Sequence, residues 1–229
     1  MLQSSTNALL VKGDVLTAVN VKWWGALGDG TDATTSIQAA LNFASVNNRG
    51  KVVVPAGNYL ITSPLITSNR LQIVGDGIQS TFLTWSGSSN LAMIVFTNGF
   101  KAGWAVKNMT LNCSSNNGIL AVQYNDGLVE GCEIHAFSGY AVYLKEGVHN
   151  TVFKNRIRDA SAATAVGVLL DNGSGHSILG NSFATAAIGI DFVRPSNGLM
   201  IGPGNSFEPN VTGIRVPTLD GLDGINALT

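Results

Sequence analysis

The chain has 229 residues, of which 45% are hydrophobic and only 12% charged, with a formal net charge of −1. That balance is the reverse of the one that keeps chains disordered, and it offers no general field to attract nucleic acid or anionic lipid. The longest apolar run, Leu91–Phe96, is far too short to cross a bilayer, so neither nucleic-acid binding nor membrane insertion is expected.

Residues 1–18 read as an N-terminal arm, without the basic start and long apolar run of an export signal. Asp32 then caps a predicted helix over 33–46, in which Ile37, Ala40, Leu41 and Ala44 share one face. The run Asn47-Asn48-Arg49-Gly50 ends it. KVVVPAGNYLI at 51–61 follows as strand, turn and strand. The open end of a stack of strands exposes unpaired edges, and an amphipathic helix is a suitable cover.

From residue 106 onward one phrase recurs: VKNMTL at 106–111, VEGCEI at 129–134, VFKNRI at 152–157, ILGNSF at 178–183 and GPGNSF at 202–207. Aligned, they stack Asn108, Cys132, Asn155, Asn181 and Asn205, with spacings of 24, 23, 26 and 24. A second phrase, a glycine followed by alternating apolar residues, starts at Gly118, Gly139, Gly167, Gly189 and Gly213. Coils of about two dozen residues, each too short to bury its own apolar face, must stack on their neighbours. The expected fold is all-β: a right-handed parallel β-helix of about seven coils over 19–216, helix included, with a tail at 217–229. Asn108, Asn155, Asn181 and Asn205 are expected to form a ladder that satisfies buried turn backbone. Alternation sends Ile190, Phe192, Ile214 and Val216 inward, and Asp191 and Arg215 outward. Cys113 and Cys132 give neither a metal spacing nor a disulfide framework, and are expected as buried thiols.

The N-terminal third carries a recognisable set of residues: Gly25-Ala26, Gly28-Asp29-Gly30, Asp32, Ile37-Gln38-Ala39-Ala40, Pro55-Ala56-Gly57-Asn58-Tyr59 and Gly75-Asp76-Gly77. Over residues 19–85 it resembles the signature of the pectate-lyase-like superfamily, whose members include polysaccharide lyases, galacturonan hydrolases and epimerases. The opening Val-Asn-Val-Lys-Trp-Trp-Gly-Ala most resembles bacteriophage tailspikes. The resemblance implies a homotrimer on a virion that binds, and in catalytic members depolymerises, a bacterial surface polysaccharide. The sequence ends in PTLDGLDGINALT soon after the last coil, and two readings are expected: a truncated chain, or a virion part whose C-terminal end another subunit covers. Two alternatives stay open: a non-catalytic structural trimer of the virion, and a free polysaccharide lyase or glycoside hydrolase. The signature is a scaffold signature and does not specify chemistry.

Glycan hydrolysis asks for two carboxylates, and a lyase asks for a base with a cation beside it. Aligning Gly167, Gly189 and Gly213 places Leu169, Asp191 and Arg215 in one outward column, with Asp171 on the same face. Asp171 and Asp191 are the candidate carboxylate pair and Arg215 the candidate anchor for an acidic sugar; a surface salt bridge between Asp191 and Arg215 is the plainer alternative. Glu133 above Arg156 forms a second such column. Trp104, Tyr124 and Tyr143 are candidates for stacking on sugar rings, against core packing as the alternative. His135, His149 and His176 are solitary and are read as surface or turn residues. No cofactor or metal is expected, because neither an acidic calcium-binding repeat nor an EF-hand loop is present.

Overall fold

Short strands alternate apolar and polar positions, and each finds its hydrogen-bonding edges only on neighbouring coils. The computed structural model describes residues 18–48, 50–88, 90–97, 101–208 and 212–216. Almost all of the expected arm at 1–18 and the whole tail at 217–229 lie outside the described residues.

The chain forms a parallel β-solenoid of about seven turns with three faces. The first face is an 8-stranded sheet running from Val19–Asn20 to Met200–Ile201. The second and third faces together make a 14-stranded sheet, because Thr110–Val122 runs from one into the other. The second face ends at Ser206–Phe207 and the third at Thr212–Arg215. Neighbouring coils pair in parallel, as in Val129 with Val152, Ile134 with Ile157 and Val142 with Val168.

The register stacks like on like through the interior. Val52, Ile73, Val106, Val129, Val152 and Ile178 line up under the first face, all fully buried. Ile94, Ile119, Val142, Val168 and Ile190 do the same under the third. Each such side chain contributes about 1.5–3 kcal/mol by leaving water. The bend into the third face needs a small residue. A Cβ at Gly118 would lie 2.3 Å from the Ala141 oxygen, and one at Gly167 would lie 2.7 Å from the Phe183 ring. Ala141, not Gly139, holds this place in its coil, because Ile119 pairs with Val142.

The helix spans Thr34–Val46, one residue later than expected, and buries Ile37, Ala40, Leu41 and Ala44 against the first coil. Asp32 Oδ1 accepts from the Thr34 N–H at 2.9 Å and from the Thr34 hydroxyl at 2.6 Å. These bonds hold the carboxyl below its ordinary range, the expected state for an anion at a helix start. The strand turn at 55–59 closes on itself. Gly57, at φ 151, packs against Gly28 where a Cβ would sit 2.7 Å from the Gly28 oxygen, and the Tyr59 hydroxyl donates to the Pro55 oxygen. Trp24 packs on Phe43 of the helix with ring centroids 5.0 Å apart. The two cysteines are free and buried, and burial pushes the Cys132 thiol up to about 12.

The asparagine ladder runs through one corner. Asn155 Oδ1 accepts from the Cys132 N–H, Asn181 Oδ1 from the Asn155 N–H, and Asn205 Oδ1 from the Asn181 N–H, at 2.9–3.0 Å. Their amide groups donate to Val129, Val152 and Ile178 oxygens of the coil before. Asn108 is a correction, since it is exposed and lies one register position away. Lys107 pairs with Glu130 and Thr110 with Glu133, so Asn108 aligns with Gly131 and Met109 with Cys132. Asn108, Gly131, Lys154, Gly180 and Gly204 form a left-handed column with φ between 53 and 80°. Val216 is a second correction. On the last coil it is 41% exposed, because no further strand covers it among the described residues.

A second polar column, absent from the sequence expectations, lines the corner between the third and first faces. Asn150 Oδ1 accepts from Gly127 N–H and the Trp104 indole, its amide donates to the Tyr124 oxygen, and its own N–H donates to His176 Nδ1. His176 is therefore a fully buried turn residue, with no hydrogen-bond partner at Nε2. Burial, with His149 nearby, lowers its pKa to about 4.

Two outcomes follow from these columns. Asn181→Ala strips partners from a buried N–H and a buried carbonyl, and should cost about 3 kcal/mol in chemical denaturation; Asn108→Gly should stay within about 0.5 kcal/mol of wild type, because glycine suits the left-handed site. Equal losses in the two variants would refute the one-residue offset. His176 binds its proton more weakly folded than unfolded, so stability should fall as pH drops from about 6.5 towards about 4, by about 3 kcal/mol in all. His176→Asn keeps an acceptor for Asn150 and should flatten that window in thermal melts; an unchanged pH dependence would show that another group governs it.

Candidate functional site

The third face carries the residues that the sequence singles out. The outward column begins with Ile66, Val95 and Leu120, continues through Tyr143 and Leu169, and ends with Asp191 and Arg215. Its aliphatic start and charged end divide the face into two zones. Arg215 binds Asp191 through two bonds, Nε to Oδ1 at 2.9 Å and Nη2 to Oδ2. Although its position points outward, Asp191 is buried beneath this guanidinium. The pairing raises the Arg215 pKa further.

Asp171 belongs to a separate network. A register shift after Leu170 leaves Val193 without a partner and sets Asp171 opposite Arg194. Arg194 Nε then donates to Asp171 Oδ1, and its Nη2 donates to Glu146 Oε1 at 2.8 Å. The Tyr143 hydroxyl donates to Asp171 Oδ2 at 2.9 Å, and the Gln123 amide to Glu146 Oε2 at 3.1 Å. Arg194 holds both Asp171 and Glu146 below the ordinary carboxylate range. Burial, followed by the bond to Asp171, pushes the Tyr143 hydroxyl upward. Asp171 and Asp191 are thus each bound by their own arginine and do not form one free carboxylate pair. A general acid needs a raised pKa, and the shift on Asp171 is downward.

The aromatic candidates separate in the same way. Trp104 and Tyr124 are a correction: both are buried, packed on Phe96 with centroids 4.5 and 5.8 Å away, so neither offers a ring to a sugar. Alternation could not reveal this, because both sit in a corner outside the two-residue period. Tyr143 is half-buried on the outer face, edge-on to Tyr140.

The second face carries a polar strip that sequence reading resolves only in part. Glu133 stacks on Arg156 and His135 on Arg158. Glu133 is buried and contacts both arginines, Arg156 Nη1 at 3.1 Å and Arg158 Nη2 at 2.7 Å. Burial first, then Arg158, lowers the His135 pKa and so favours its neutral form. A cleft of about 220 Å³ opens beside them, lined by Arg156, Arg158, Asp159, Ser182, Thr185 and Glu208. The alignment of CEIHAF with NRIRDA already places His135 over Arg158; what it lacks is the burial of Glu133. Lys154 is not part of this strip, since it lies in the left-handed turn with its ammonium over the Phe153 ring. Glu133→Gln weakens a buried anchor for two guanidinium groups and should cost about 2 kcal/mol in denaturant titration; a loss below about 0.5 kcal/mol would show the pair to be a surface ornament.

A family model described as rhamnogalacturonase A/epimerase, pectate lyase-like, matches residues 18–219. Alginate lyase 7 of Azotobacter vinelandii is 30% identical over 156 residues, covering 62% of this chain and 17% of that protein. The chain spans between 4% and 17% of the length of the curated relatives it matches. Among solved structures, ORF18 of Geobacillus virus E2 superposes with a TM-score of 0.69 at 21% identity, over 83% of this chain and 40% of that one. A putative glycosyl hydrolase from Parabacteroides merdae gives 0.71 at 16% identity, over 86% and 100%. At such identities the structural likeness is one of fold. The repeat, the N-terminal signature and the matched span agree: the chain belongs to the rhamnogalacturonase A/epimerase, pectate-lyase-like family.

Proposed function

We propose that this β-helix is a tailspike-like virion protein that binds a bacterial surface polysaccharide across the charged end of its third face. The observation that carries the reading is the array of Gln123, Glu146, Arg194, Asp171 and Tyr143, flanked by Asp191 and Arg215. It spans successive coils about 4.8 Å apart, and its donors and acceptors are already fixed by one another. A site whose polar groups are held in place before the ligand arrives loses little freedom on binding. The half-exposed guanidiniums of Arg194 and Arg215 have faces left for sugar hydroxyls or an acidic substituent. Downward-shifted carboxylates suit recognition better than proton donation. The fold likeness to a viral protein and the family's sugar-acting relatives support the same reading.

Assembly as a homotrimer belongs to this proposal, with the outward aliphatic zone of Ile66, Val95 and Leu120 as the strip that subunits bury. Contact with other virion subunits belongs to the same proposal.

Host capsule and lipopolysaccharide, presented to the purified protein, test the whole reading. Wild type should bind without releasing new reducing or unsaturated ends, and Arg194→Gln and Arg215→Gln should each bind about tenfold more weakly through loss of a charge-assisted bond. Release of such ends, abolished by Asp171→Asn, would establish a depolymerase instead. Stable particles in light scattering that bind no glycan would favour a structural virion part, and monomers there would remove the trimer.

A further inference from the structure

A second site lies away from both polar strips, at the corner between the third and first faces beside the end of the helix. Here Ser45, Asn48, Asn69, Arg70, Leu71 and Lys101 line a cleft of about 480 Å³, roomy enough for a monosaccharide-sized ligand. No carboxylate lines it among the described residues. The sequence explains why, since Asp76 is the only acidic residue between 33 and 125, against Arg49, Lys51, Arg70, Lys101 and Lys107. Asp76 is engaged elsewhere, accepting from the Ala56 N–H at 2.8 Å, and Lys107 pairs with Glu130 at 3.2 Å. Arg70 and Lys101 have no carboxylate partner among the described residues.

The lysine is fixed rather than loose. Its ammonium donates to the Ser68 oxygen and, at 2.6 Å, to Asn69 Oδ1, which uses two of its three donors. Asn69 is held in turn, its amide donating to the Ser45 oxygen and hydroxyl at the helix end. The strand bearing the lysine, Lys101–Ala102, pairs with Tyr124–Asn125. Helix carbonyls here would repel an anion, but the Phe43 and Ser45 oxygens already accept from the Asn47 and Asn69 amides. The remaining charge is that of an exposed guanidinium and an anchored ammonium across one cleft.

We infer that this cleft binds an oxyanion, the carboxylate or phosphate of a small sugar-sized ligand, with Lys101 as the fixed charge and Arg70 as the fork that closes on it. Lys101 supplies its third donor, and Arg70 supplies a planar pair. The site is independent of the third-face array, so either assignment can fail without the other.

Calorimetric titration of the full chain with D-glucuronate, inorganic phosphate and neutral D-glucose tests it, with backbone amide shifts at Gly50 and Leu71 marking the location. Binding of glucuronate alone identifies a carboxylate site, of phosphate alone a phosphoryl site, and of both a general oxyanion site. In each case binding should weaken with added salt and fall about tenfold in Arg70→Gln. Lys101→Met should abolish it; should that variant fold poorly, the exposed Arg70→Gln still decides. No binding of either anion, equal binding of glucose, or affinity unchanged in Arg70→Gln would overturn the inference.

Discussion

The structure rests on one constraint: each coil must present to the next a parallel backbone edge at a fixed register. No strand here is long enough to be stable alone, so the hydrogen bonds between coils and the side-chain columns inside them form together. Once the register is set, every position becomes a column. Interior columns collect Val and Ile, corners collect small residues or amides, and outer columns carry whatever meets solvent or a partner.

The corners are where this constraint is most demanding. A bend takes backbone groups out of the sheets yet leaves them beneath side chains, away from water. Asn155, Asn181 and Asn205 answer this at one corner, each accepting from a backbone N–H and donating to a backbone carbonyl of the coil before. At another corner Asn150 and His176 do the same work with a mixed pair of residue types. A third arrangement, the left-handed column from Asn108 to Gly204, changes chain direction by backbone conformation. Amide chemistry and left-handed turns both favour asparagine, so its presence alone does not tell which one a corner uses.

The outer surface follows the same rule with opposite consequences. Because columns bring like positions within one strand spacing, charges on neighbouring coils must pair or repel. Glu133 meets arginines, Asp191 meets Arg215, and Asp171 and Glu146 share Arg194. Each of these carboxylates is thereby held as a positioned hydrogen-bond acceptor for its arginine. Where cations fall away from carboxylates, as at Arg70 and Lys101, no such pair forms among the described residues.

The sequence by itself determined the solenoid and its period, because these depend on patterns repeated at each coil, and the covering helix, whose apolar face is periodic; Asp32 bonds to Thr34 at its start from one residue before the cap, Ala33. It also determined that Asp191 would stack on Arg215, since the alignment of Gly189 with Gly213 has no insertion between. Only the tertiary structure decided the places where one residue shifts the column. Asn108 left the ladder because its coil turns at Asn108 itself, one residue later than alignment by residue type suggests. Arg194 reached Asp171 because Val193 bulges out of the register. Trp104, Tyr124 and His176 went inside because corners bury side chains without regard to alternation. A period can be counted along the chain; a single-residue offset between neighbouring coils is settled by packing and hydrogen bonding, after the coils have met.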